Sequence, residues 1–86
     1  MQTSPSQPER ILRLPEVRAR YGRSRSSVYA DIESGVFVRP IRLGPRSVGW
    51  PSREVDAIIA ARIAGKTDDE IRAVVAKLTA ARKATA

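Results

Sequence analysis

PEVRARYGRSRSSVYADIESG, from Pro15 to Gly35, is the stretch that decides how this chain is read. Proline suits the first turn of a helix, where its missing N–H is not needed. Val17 and Tyr21 then share a face at i, i+4 spacing, so a first helix is expected over 15–21. Gly22 stops it by adopting a left-handed conformation. Ser24 offers a hydroxyl to the free N–H groups of a second helix, expected over 25–34, with Val28 and Ile32 turned inward. Gly35 ends that helix. Two short helices joined by a tight glycine-containing turn have the layout of a helix-turn-helix.

The stretch is also where the positive charge gathers. The 86 residues carry a net charge of +7. Residues 18–46 hold seven arginines against Asp31 and Glu33, a net of +5. The lysines, Lys66, Lys77 and Lys83, all lie later. Arginine suits forked contacts to phosphate oxygens and guanine edges, so the balance favours an acidic partner, chiefly nucleic acid. Histidine and cysteine are both absent. This removes the usual general base, the thiol nucleophile, thiolate zinc sites and disulfides. The acidic group Asp68, Asp69 and Glu70 is explained by helix capping. No enzyme, cofactor or metal site is expected. No apolar run reaches the roughly 18 residues of a membrane span. The opening MQTSPSQPER lacks a secretion-signal layout, so a cytoplasmic, nucleoid-associated protein is expected.

The rest of the chain builds outward from the two helices. Order is expected to begin near Ile11, after a polar tail over 1–9. Pro40 disfavours a regular central strand at Val36-Phe37-Val38. Ile41-Arg42-Leu43 and Ser47-Val48-Gly49-Trp50 alternate around the turn Gly44-Pro45-Arg46, which predicts a small hairpin over 41–50. Isolated hairpins are marginal in water, so Ile41, Leu43, Val48 and Trp50 are expected to lean on the helices. Ser52 is read as the cap of a third helix, with Glu54 and Asp56 favouring its positive end and Val55, Ile58, Ile59 and Ile63 as its apolar stripe. Gly65 closes it. Thr67 to Glu70 form a capping box for a fourth helix with the stripe Ile71, Val74, Val75 and Leu78. That helix reads equally as a dimer element or as a segment folded back on the domain. Lys83 to Ala86 are expected to fray. The organisation expected is a tail over 1–9, a DNA-binding domain over 10–65, a C-terminal helix over 66–83 and a tail over 84–86.

In a helix-turn-helix the second helix enters the major groove, and its first residues meet base edges. Here those are Ser24, Arg25, Ser26 and Ser27, with Arg23 in the turn before them. Small hydroxyl residues permit close approach, and arginine can fork to guanine. Tyr29 stands one position off the core face, where its hydroxyl can reach a phosphate. Arg42 and Arg46 place charge on the hairpin, a basic wing able to grip backbone or a narrow minor groove. Trp50 is read as core.

Arg13-Leu14-Pro15-Glu16-Val17, Arg23-Ser24-Arg25-Ser26-Ser27-Val28-Tyr29, Gly35-Val36-Phe37, Pro40-Ile41-Arg42-Leu43-Gly44 and Val48-Gly49-Trp50, with Ser52, Glu54, Val55 and Asp56, resemble the AlpA family over roughly residues 11–64. The resemblance implies a mainly α fold with a small β-hairpin wing, a MerR-like, excisionase-like winged helix-turn-helix. It also implies that Ser24–Tyr29 opens the recognition helix and that Arg46 lies on the wing. Where the family often reads Phe-Pro-x-Pro, this chain has Phe37-Val38-Arg39-Pro40, and Ala30 follows Tyr29 where a basic residue is common. Family members act as transcription activators, often of integrase or excision functions.

Together these readings predict a sequence-specific double-stranded DNA-binding regulator of phage or mobile-element origin, working as a homodimer or cooperative assembly. An integrase or another phage protein is a further expected partner. The alternatives are an excisionase or small terminase subunit, and, outside DNA binding, a protein-interaction adaptor docking through the last two helices.

Overall fold

The computed structural model describes residues 9–84; of the tails expected over 1–9 and 84–86, residues 1–8 and 85–86 lie outside that range. In chain order the elements are β1 (Ile11–Leu12), α1 (Leu14–Tyr21), α2 (Arg25–Glu33), β2 (Ile41–Gly44), β3 (Ser47–Pro51), α3 (Ser52–Ile63) and α4 (Asp68–Ala84). The architecture is a winged helix-turn-helix followed by a C-terminal helix. The hairpin is not two-stranded. β1 pairs antiparallel with β3 through Ile11↔Pro51 and Leu12↔Trp50, giving a three-stranded sheet in the order β1-β3-β2.

The helix-turn-helix forms as its sequence dictates. Gly22 takes φ 74° and donates to the Arg18 carbonyl at 2.8 Å, closing α1. Ser24 Oγ accepts from the Ser27 N–H at 3.2 Å, capping α2. The connection after α2 is irregular but buried: Val36, Phe37 and Val38 join Val17, Val28 and Ile32 in the core. Phe37 stacks on Tyr21 with ring centroids 4.6 Å apart. Trp50 is fully buried, and its indole N–H donates to the Val38 carbonyl at 3.0 Å, so no polar group there is left unpaired.

Strand register corrects one expectation. Ile41 pairs with Gly49 and Arg42 with Val48. Directly opposed residues share a face, so Arg42, Val48 and Trp50 fall on one side, and Ile41, Leu43 and Gly49 on the other, where Ile41 lines a cleft with Leu78 and Ala81 of α4. Leu43 is 45% exposed rather than packed on the helices. On that face Gly49 is required by close approach: a Cβ there would collide with Ile11 Cγ2 and sit 3.1 Å from the Leu12 carbonyl oxygen.

Three more expectations change. Ser52 does not cap α3: its hydroxyl accepts from the Arg10 N–H at 3.0 Å, and its own N–H donates to the Arg10 carbonyl at 2.7 Å. The residue serves the junction with the segment before β1 instead. Ile63 is 82% exposed, while Ala61 is buried. At about 100° per residue, Ile63 lies about 140° round the helix from Ile58, whereas Ala61 lies about 60° away. Finally, α4 is helical at Lys83 and Ala84, the first two of the four residues expected to fray, and 85–86 lie outside the described residues.

The start of α4 is as expected, with Thr67 Oγ1 accepting from the Glu70 N–H and Glu70 Oε1 accepting from the Thr67 N–H. The helix folds back on the domain. Ile71 is fully buried against the core, and Val74, Val75 and Leu78 are partly so. The Arg82 guanidinium meets both oxygens of the buried Glu54, 2.9 Å from Nε to Oε2. A pair this buried is costly to break by removing one partner.

Candidate nucleic-acid interface

The cap at Ser24 leaves the first turn of α2 facing outward. Arg25 and Ser26 are exposed, while Ser27 is partly covered and accepts a hydrogen bond from the Ser24 hydroxyl at 3.1 Å. One turn on, Val28 and Ile32 anchor the inner face. The helix therefore presents arginine and hydroxyls from a start fixed by its own cap.

Arg23 is more constrained than a solvated turn residue. Its Nε lies 3.0 Å from Asp31 Oδ2, and Asp31 is buried. The same carboxylate accepts from the Tyr21 hydroxyl at 2.7 Å, and the Arg62 guanidinium stands 4.0 Å away. One side chain in α2 thus gathers α1, the turn and α3. Burial first, and then the hydrogen bond to Asp31 and its negative charge, raise the Tyr21 phenol above its ordinary pKa. Asp31 was not singled out by the sequence, because its partners lie 8 to 31 positions away and no local pattern marks them.

Tyr29 connects the helix to the wing. Its ring meets Trp50 edge-on at 6.4 Å, and the Arg25 guanidinium sits over the ring, 5.7 Å from the centroid. The contact limits the conformations of Arg25 on an otherwise exposed surface. The Tyr29 hydroxyl has no hydrogen-bond partner among the described residues. Arg42 shares its sheet face with Trp50, so α2 and the basic side of the wing meet through Tyr29 and Trp50. Arg46 is exposed in the turn between β2 and β3.

The model of the family described as Prophage CP4-57 regulatory protein (AlpA) matches residues 10–63. The chain belongs to the AlpA family. It is also similar to the uncharacterized protein ORF88 of Enterobacteria phage P4, 47% identical over 58 residues, which is 67% of this chain and 66% of that protein. No solved structure gives a significant match. An AlpA-family chain is a phage-type regulatory protein with a DNA-binding fold, and the resemblance read from the sequence holds. Among the described residues, no helix is long and apolar enough to cross a membrane.

The ion pairs of this AlpA-family chain sort its positive charge. Among the described residues every carboxylate is engaged: eight face arginines, and Glu70 serves the capping box. The arginines without an acidic partner among these residues are Arg13, Arg18, Arg25, Arg42 and Arg46. They lie just before and on α1, on α2 and on the wing. The remaining cations, Lys66, Lys77 and Lys83, belong to α4 or the loop before it. Surface ion pairs contribute little stability. Their effect here is on the field, since each pair cancels locally and the uncancelled arginine charge is left at Arg13, Arg18, Arg25, Arg42 and Arg46.

Arg18 was not singled out from sequence. It lines an open cleft with Pro15, Ala19, Gly22, Arg23 and Ser24, at the mouth of the helix-turn-helix. A cue existed: the residues three and four positions away are Leu14, Pro15, Tyr21 and Gly22, none of them acidic.

Proposed function

We propose that this AlpA-family chain is a sequence-specific double-stranded DNA-binding transcriptional regulator of integration or excision genes in a phage or mobile element. The first turn of α2, with Arg25, Ser26, Ser27 and the hydroxyl of Tyr29, reads the major groove. Arg23 and Ser24 border it, Arg42 and Arg46 grip backbone or minor groove from the wing, and Arg18 and Arg13 extend the phosphate contacts. The observation that carries this reading is the sorting of charge: arginines without acidic partners cluster on the helix-turn-helix and wing, where DNA docks on such a fold. A domain this small offers little interface, so the protein works as a dimer or cooperative array, with half-sites about 34 Å apart. It acts in the cytoplasm, on the nucleoid.

The test is retardation of duplex DNA from the region upstream of its own operon at low salt. A shift that weakens on Arg25→Ala, with relaxed sequence preference, is expected. Absence of any shift overturns the reading.

A further inference from the structure

The family match stops at residue 63, so α4 lies beyond it. Two arginines of α4 hold backbone rather than only side chains. Arg72 Nε donates to the Ser34 carbonyl at 2.9 Å, and Arg82 Nη2 donates to the Arg39 carbonyl at 2.7 Å. Ser34 follows the last residue of α2, and Arg39 stands two residues before β2. The two carbonyls therefore bound the connection between the recognition helix and the wing. Ten residues of helix advance about 15 Å. Five residues of chain reach at most about 18 Å. One helix can thus hold both ends of the connection.

Both grips are themselves fixed. Arg72 pairs with Asp69 at 2.8 Å, and its aliphatic carbons pass alongside Gly35. Arg82 is locked by the buried Glu54. Between the grips, Val36, Phe37 and Val38 are buried and the Val38 carbonyl is taken by Trp50.

We propose that α4 is a positioning element: by clamping both ends of residues 34–39 it fixes the wing relative to α2, and so sets which DNA Arg25 and Arg46 can engage together. Its consequence for DNA rests on the function proposed above; its geometry does not. Arg72 and Arg82 act through the connection and touch no DNA.

The test uses the full chain with Arg72→Ala, an exposed position, and the paired change Glu54→Gln with Arg82→Gln, which avoids stranding a buried charge. Without DNA, residual dipolar couplings report the orientation of the hairpin relative to α2. One alignment tensor is expected to fit both elements in the wild type, and a looser or separate tensor for the hairpin is expected in each variant. Unchanged alignment in both variants overturns the proposal. With DNA, the affinity loss caused by Arg46→Ala shrinks by at least about twofold in the Arg72→Ala background, while the loss caused by Arg25→Ala does not. An element that only adds stability leaves the Arg46→Ala loss unchanged, and that result also overturns it. If the wild type fails to retard DNA, the proposed function falls, and the alignment measurement alone decides the role of α4.

Discussion

The Tyr21 hydroxyl donates a 2.7 Å hydrogen bond to Asp31 Oδ2, joining the end of α1 to the inner part of α2. Tyr21→Phe is expected to cost about 1 kcal/mol at neutral pH. The pH dependence follows from the raised phenol pKa. The folded state favours the protonated phenol, so this stabilisation is complete below the usual value of 10.0 and is lost as pH rises through the higher folded value. Urea denaturation from about pH 8 to about pH 11 should show the wild type losing stability more steeply than Tyr21→Phe.

Arg23 and Arg25 are expected to separate stability from recognition. Arg23→Ala removes a partner from the buried Asp31 and lowers stability by about 1–2 kcal/mol, as well as weakening DNA binding. Arg25→Ala changes stability by less than about 0.5 kcal/mol, because its side chain is exposed and its contact is with the Tyr29 ring. Thermal melts alongside binding isotherms check both halves.

Trp50→Phe leaves the Val38 carbonyl buried without its donor and opens space beside Tyr29. A loss of about 2–3 kcal/mol is expected, read by circular dichroism because the chain then contains no tryptophan.

DNA affinity should fall with salt at a log–log slope of about −3.6 if Arg13, Arg18, Arg42 and Arg46 each neutralise one phosphate. Arg18→Ala and Arg46→Ala should each flatten that slope by about 0.9. Lys77→Ala, on α4, should leave it unchanged. Titration of salt against dissociation constants for the three variants decides the assignment.

Gly49→Ala forces a methyl group into Ile11 and against the Leu12 carbonyl, so β1 must shift from β3. A destabilisation of about 2 kcal/mol is expected in denaturant melts.

The parts of this fold legible in the sequence were those decided within one turn of chain. The Ser24 cap, the Gly22 stop, the Thr67–Glu70 box and the inward pair Val28 and Ile32 each depend on neighbours three or four residues away. What escaped was set by distant partners. Ser52 has the chemistry of a cap, but the Arg10 backbone reaches its hydroxyl first. Glu54 reads as a helix-end charge, yet it is buried by an arginine 28 positions later. β1 is two residues long, too short for any period to show. Within the candidate site, Arg25 and Ser26 stood out because exposure, charge and position agree in one short segment. Asp31 and Arg18 did not, since one is defined by what folds over it and the other by carboxylates that are absent around it.

The clamp at Glu54 and Arg82 makes the folding unit larger than the segment matched by the family model. Residues 10–63 are what the family model matches, but expressed alone they would leave Glu54 without its counter-charge and uncovered, and an open seat where Ile71 belongs. A truncation drawn at the family boundary is therefore expected to yield an insoluble or partly folded fragment. A fragment carried to Ala84 keeps the helix that completes it.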